Sequence, residues 1–203
     1  MPSYLVTHSL LSSWLYLMKE NPYEDLTTER DPKVEFMKVL RREPTETTEA
    51  MLNGIMFEDM VTDIVHGRIN PDAKWFQAAS LVASKVKGGI LQYKASRRFT
   101  VAGREIVLYG RFDCLKAGKI IDIKFSKGYD RGKFLTSTQH PTYLAIMPEA
   151  KEFSYVISNG TDVWTETYRR DETPDILPII SDFFDWLNTV GLMQVYEEHW
   201  VSK

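Results

Sequence analysis

A chain of 203 residues, 43% of them hydrophobic, can bury one substantial core, so a single domain is the default. Its net charge of −3 argues against a protein that holds nucleic acid by bulk electrostatics, though not against an enzyme with a local basic groove. The one cysteine, Cys114, excludes an intrachain disulfide framework and an all-protein four-cysteine cluster, which suits a reducing cytoplasm.

No apolar run approaches the roughly 18 residues of a membrane span, and the N-terminus lacks the basic start of a signal peptide. Leu10, Leu11, Trp14, Leu15, Leu17 and Met18 therefore predict a packing helix of the mature protein over Ser9 to Lys19, stopped by Asn21-Pro22. Asp31-Pro32 opens a second helix to about Arg42, with Asp31 as N-cap and Pro32 at the first helical position. Thr47 or Thr48 caps a third from Glu49 to Val65, with apolar positions Met51, Leu52, Ile55, Met56, Met60, Ile64 and Val65. That helix carries Glu58 beside Asp59 and Asp63. His66 at its end is read as a cap, where the macrodipole favours it. Asn70-Pro71-Asp72 starts a fourth helix that runs to Gly88-Gly89.

Ile90 to Val101 alternates as a strand with Lys94, Arg97 and Arg98 on it. Ala102-Gly103 then turns the chain into a strand from Arg104 to Leu115. Ala117-Gly118 is a second two-residue turn, and Lys119 to Phe125 returns. Alternation puts Ile121, Ile123 and Phe125 on one face, Asp122 and Lys124 on the other. Counting back from the turn sets Asp113 opposite Asp122, with β-carbons roughly 5 Å apart. At an effective dielectric of about 20 the repulsion is on the order of 3 kcal/mol. A chain tolerates this when one carboxylate is protonated or a divalent cation lies between them, and Lys124 adds a fixed positive charge.

Ser126 to Lys133 is a polar loop carrying Lys127 and Lys133, placed to guide a substrate. Gln139-His-Pro-Thr-Tyr143 follows on a helix from about 138 to Met147, capped by Ser137 or Thr138, with Gln139 and Tyr143 on one face. Asn159-Gly160 joins strands Lys151 to Ile157 and Asp162 to Tyr168. Thr173-Pro174-Asp175 starts an amphipathic helix that stops near Gly191, and Met193, Tyr196 and Trp200 dock a short final one.

Taken together, Gly54-x-x-x-Glu58, Gly110-x-x-Asp113, Asp122-Ile123-Lys124 and Gln139-x-x-x-Tyr143 occur in an order that resembles the PD-(D/E)XK nuclease superfamily. The likeness is to its RecB-like, CRISPR-associated-exonuclease-like branch. The opening helix with Asn21-Pro-Tyr also resembles that branch, but Asn21 stands where relatives often carry a cluster cysteine, so no iron–sulfur cluster is expected. Asp122 replaces the commoner Glu, and Glu58 the His of many relatives. The resemblance implies an α/β (α+β) fold with a restriction-endonuclease-like core, a central mixed sheet flanked by helices. It spans one domain, 1–203, with N-terminal helices 8–88, catalytic sheet and helix 90–168, and C-terminal helices 174–200.

It further implies a Mg²⁺- or Mn²⁺-dependent deoxyribonuclease, with an exonuclease favoured over an endonuclease or a catalytically silent nucleic-acid-binding module. Glu58, Asp113, Asp122 and the backbone carbonyl of Ile123 would hold one or two ions, and Lys124 would act on the water or phosphate. Gln139 and Tyr143 would position the site, and Arg97, Arg98, Lys127 and Lys133 would contact the DNA backbone. The expected partners are DNA and, alongside it, a recombinase, single-strand-binding protein or helicase, in a bacterial or phage-infected cytoplasm and away from membranes.

Overall fold

The computed structural model describes residues 3–19 and 31–202, so Asn21-Pro22-Tyr23 lie outside the described residues. The chain begins with β1 (Ser3–Val6) and four helices: α1 (His8–Met18), α2 (Pro32–Leu40), α3 (Glu49–Val65) and α4 (Phe76–Val86). Strands β2 (Ile90–Val101), β3 (Arg104–Lys116) and β4 (Lys119–Phe125) follow, then α5 (Gln139–Ile146), β5 (Glu152–Ser158) and β6 (Val163–Arg169). It closes with α6 (Leu177–Thr189), α7 (Met193–Trp200) and β7 (Val201–Ser202). The strands form one mixed sheet in the order β6-β5-β4-β3-β1-β7, with β2 added on β3. This is an α/β architecture, a mixed sheet with helices on both faces. Among the described residues no helix is long and apolar enough to cross a membrane.

Side-chain caps set the starts of the first three helices. Asp31 accepts from the Lys33 amide, Thr48 from Met51 and Thr7 from Leu10, each meeting one orphan first-turn donor. His66 caps α3, its Nδ1 2.8 Å from the Thr62 carbonyl. The fourth helix starts later than Asn70-Pro71 suggests. Residues 71–75 are turns, and Trp75 takes a left-handed backbone (φ 71°) before α4 begins. Of the two cap candidates for α5, Ser137 accepts from the Gln139 amide, while Thr138 Oγ1 is turned away to donate to the His8 carbonyl.

Two apolar cores sandwich the sheet. On one face α1, α2, α5, α6 and α7 pack residues such as Leu10, Phe36, Phe183, Phe184 and Tyr196 against Ile106, Phe112 and Phe153. On the other, α3 and α4 lay Phe57, Val61, Ala79 and Val82 against Cys114, Ile121, Ile123 and Val156. Along α3 only Phe57 and Val61 are fully buried, while Met51, Leu52, Ile55 and Met56 are about half exposed. The apolar positions of its first turns are therefore surface.

The β2–β3 ribbon turns over partway along. Tyr93 and Phe112 pack in the first core, yet Leu91 and Cys114, two residues away on the same strands, pack in the second. Strict alternation would keep each pair on one face. The break falls at Gln92, whose φ is 51°, and at Asp113 across from it, and these two make no ladder pair.

Candidate active site

The site lies where β3 and β4 part. β2 runs along one edge of β3 over nearly its whole length, so β1 and β4 share the other edge. β1 pairs in parallel with Glu105–Leu108, and β4 pairs antiparallel with Cys114–Lys116. Between these two stretches, no strand among the described residues lies beside Tyr109 to Asp113 on that edge. Ala117 and Gly118, both at positive φ (48° and 75°), make the type I′ turn that fixes the register expected from the sequence. That register holds to Cys114–Ile121. Beyond it β4 stays with β5, pairing in parallel from Lys119 to Phe125, and leaves β3.

The opening is a cavity of about 270 Å³ into which three further elements project. β3 supplies Tyr109, Gly110, Arg111 and Asp113, and β4 supplies Asp122 and Lys124. Because β1 ends at Val6, the first residues of α1 enter beside them. Glu58 arrives from α3, and Gln139 and Tyr143 from α5. Gly110 is required by this packing, since a Cβ there would stand 2.7 Å from Tyr143 Cε1. Tyr143 Oη in turn donates to the Arg111 carbonyl at 3.1 Å, satisfying one of the groups the missing strand leaves free.

The carboxylates are bound by protein donors. Asp113 accepts from the Ile123 amide at 2.8 Å, so it is this amide that ties Ile123 to the site. Gln139 Nε2 donates to Asp122 Oδ1 at 2.5 Å. Lys124 Nζ lies 2.8 Å from Asp122 Oδ2 as an ion pair, yet that buried oxygen has no well-aligned hydrogen bond. Asp122 is 3% exposed, an unusual place for an ionisable group. Burial, with the charges of Asp122 and Glu58 added, pushes the Asp113 carboxyl well above the usual carboxylate range. Burial also raises Asp122, against the opposing pull of Lys124 and Gln139, and raises Glu58, helped by Asp122. Burial disfavours the charge on Lys124, but Asp122, Asp113 and Glu58 outweigh it and hold the ammonium above its ordinary range.

Asp113, Asp122, Lys124, Glu58, Gln139 and Tyr143 thus share one cavity, while the four weaker sequence candidates do not line it. Arg97 donates to the Ala145 carbonyl, and Arg98 pairs with Glu105. Lys133 donates to Ser126 Oγ, and Lys127 sits in the loop beyond the cavity wall. Strand alternation alone could not say that these cations face elsewhere. Among the lining residues not singled out in the sequence, two carry ionisable nitrogen groups, Arg111 and His8. Arg111 could have been singled out, two positions before Asp113; its charge opposes the rise in the Glu58 pKa. His8 carries no local signal, because a strand pairing about 100 residues away brings it in.

All side-chain oxygens offered here are hard donors, which suits Mg²⁺ or Mn²⁺ in chemistry. Among the described residues, however, no three His, Cys, Asp or Glu side chains stand together as a ready metal-holding group. The donor set fits an ion that takes one or two carboxylates and keeps several waters, with Asp122 Oδ2 the oxygen lacking a hydrogen bond.

No family model matches the sequence, and no curated protein matches it. The fold is similar to that in the crystal structure of SSO0001, with a TM-score of 0.56 and 14% identity over 92% of this chain and 78% of that one. At that identity the likeness is one of fold alone.

Proposed function

We propose that this chain is a metal-dependent deoxyribonuclease of the PD-(D/E)XK type, acting as an exonuclease in DNA recombination, repair or phage DNA processing. The observation that supports it is convergence: Glu58, Asp113, Asp122–Lys124 and Gln139 come from four separate elements and line one cavity. Asp122 and Asp113, with Glu58 across the cavity, would hold Mg²⁺ or Mn²⁺, which would supply an activated water and charge neutralisation at the phosphate. Lys124, kept charged by three carboxylates, is the group to orient the attacking water or stabilise charge growing on the phosphate oxygens. Gln139 fixes the rotamer of Asp122, and Tyr143 holds the open edge of β3 in place. Arg111 brings a cation to the cavity for a backbone phosphate.

One observation favours a second reading, a catalytically silent nucleic-acid-binding module. Asp122 is already engaged by both Lys124 and Gln139, and a cation would have to compete with that ammonium. Incubation of the purified protein with linear and closed circular DNA, in Mg²⁺, Mn²⁺ and EDTA, separates the readings. Loss of linear DNA alone, dependent on metal and absent in Asp122→Ala, is the expected result. Digestion of circles as well would make it an endonuclease, and binding without cleavage would make it the silent module.

A further inference from the structure

The cavity is lined by side chains that the nuclease reading leaves without a task, and one of them is an imidazole. His8, the first residue of α1, lines it together with Lys124, Asp113 and Asp122. Its backbone is pinned: Thr138 Oγ1 donates to its carbonyl at 3.0 Å, and Thr7 caps the helix it begins. Its ring is oriented edge to face with Tyr143, centroids 5.3 Å apart and planes at 86°. Among the described residues the imidazole has no hydrogen-bond partner, although it is only part-exposed and Tyr143 holds it in place. A packing histidine ordinarily spends at least one ring nitrogen on the protein.

Resting on the nuclease reading, we propose that His8 is a substrate-contacting residue. Its imidazole donates a hydrogen bond to a phosphate oxygen of the phosphodiester held beside Lys124. The ring reaches that group because β1 delivers it to the gap in the edge of β3, opposite the point where β4 turns away. Burial, and then the nearby Lys124 charge, lowers its pKa to about 4, so it serves as a neutral donor and does not add to the positive charge. A neutral donor next to a fixed ammonium binds phosphate without deepening the repulsion between two cations.

The test uses the full chain with His8→Phe, His8→Asn and His8→Ala, each checked for an unchanged fold by circular dichroism. Phenylalanine keeps the ring edge on Tyr143 and removes the donor; asparagine keeps a donor and removes the ring. KM for a short single-stranded oligonucleotide is measured in Mg²⁺, and affinity for the same strand by fluorescence anisotropy in Ca²⁺. Phenylalanine and alanine should each weaken KM and affinity by about tenfold, the worth of a hydrogen bond to a charged group. Asparagine should recover most of the loss. A phenylalanine variant equal to the wild type, or an asparagine variant no better than alanine, overturns the assignment and leaves the nuclease reading standing. A wild-type chain that neither cleaves nor binds DNA, whether this strand or a linear duplex, overturns both.

Discussion

Two of the acid–base pairs on the sheet behave in opposite ways. Glu105 on β3 and Arg98 on β2 pair diagonally across the two strands, with side chains 39% and 68% exposed. The Glu105 carboxyl is held below its usual range, chiefly by the Ser3 hydroxyl and then by Arg98. Asp122 and Lys124 share β4 inside the fork, with side chains 5% and 35% exposed. There the carboxyl is pushed up although an ammonium lies 2.8 Å away. Each pair sets a carboxylate beside a cation, but the surroundings differ. Water screens the first pair, whereas the second stands among two further carboxylates with little water to screen them. A site that keeps carboxylates in that condition is poised to take a cation, or a proton where none is supplied.

The contrast is broken most severely at Lys124. Lys124→Ala should lower kcat on linear DNA by about 10³-fold. A rate within tenfold of the wild type would remove the residue from the reaction.

Next in size is Gly110→Ala, which forces a methyl to 2.7 Å from the Tyr143 ring. Overpacking of this kind costs about 1–3 kcal/mol and should lower the melting temperature by several degrees. An unchanged melting temperature would mean that Tyr143 does not hold the fork.

Asp113→Asn sharpens the comparison from the other side. The folded-state pKa of Asp113 lies above its unfolded value near 3.9. The folded chain thus binds that proton more tightly, and the associated stability is present below about pH 4 and lost as pH rises through the raised pKa. In EDTA, asparagine should melt higher than aspartate at pH 9, by on the order of 1 kcal/mol or 2–4 °C, with the gap closing towards pH 4. Parallel melting curves at every pH would show that the carboxyl carries no such penalty. The smallest effect belongs to the exposed pair: Glu105→Gln should leave both KM and the melting temperature unchanged.

Much of the architecture was legible before folding, and the reason is range. Strand β2, the Ala117-Gly118 and Asn159-Gly160 turns, and the caps at Asp31 and Thr48 depend on residues within a few positions of one another. The same local rule set Asp113 near Asp122, because a two-residue turn leaves little freedom of register.

The tertiary structure decided the rest. β1 has four residues and no alternation to read, and it is a strand only because β3 offers it an edge. That pairing brings His8 to the site. Arg97 and Arg98 were the arginines singled out in the sequence, yet of the three it is Arg111 that lies at the fork, and the turning ribbon at Gln92 and Asp113 has no signature in residue type. The depth at which Asp122 is buried is also tertiary, since Gln139 reaches it from α5, 17 residues on, and the motif that carries it says nothing of this. Composition and spacing determine which charges the chain owns and which strand bears them. How far each is removed from water is set by elements that meet only when the whole sheet is covered, and for ionisable groups that distance governs their chemistry.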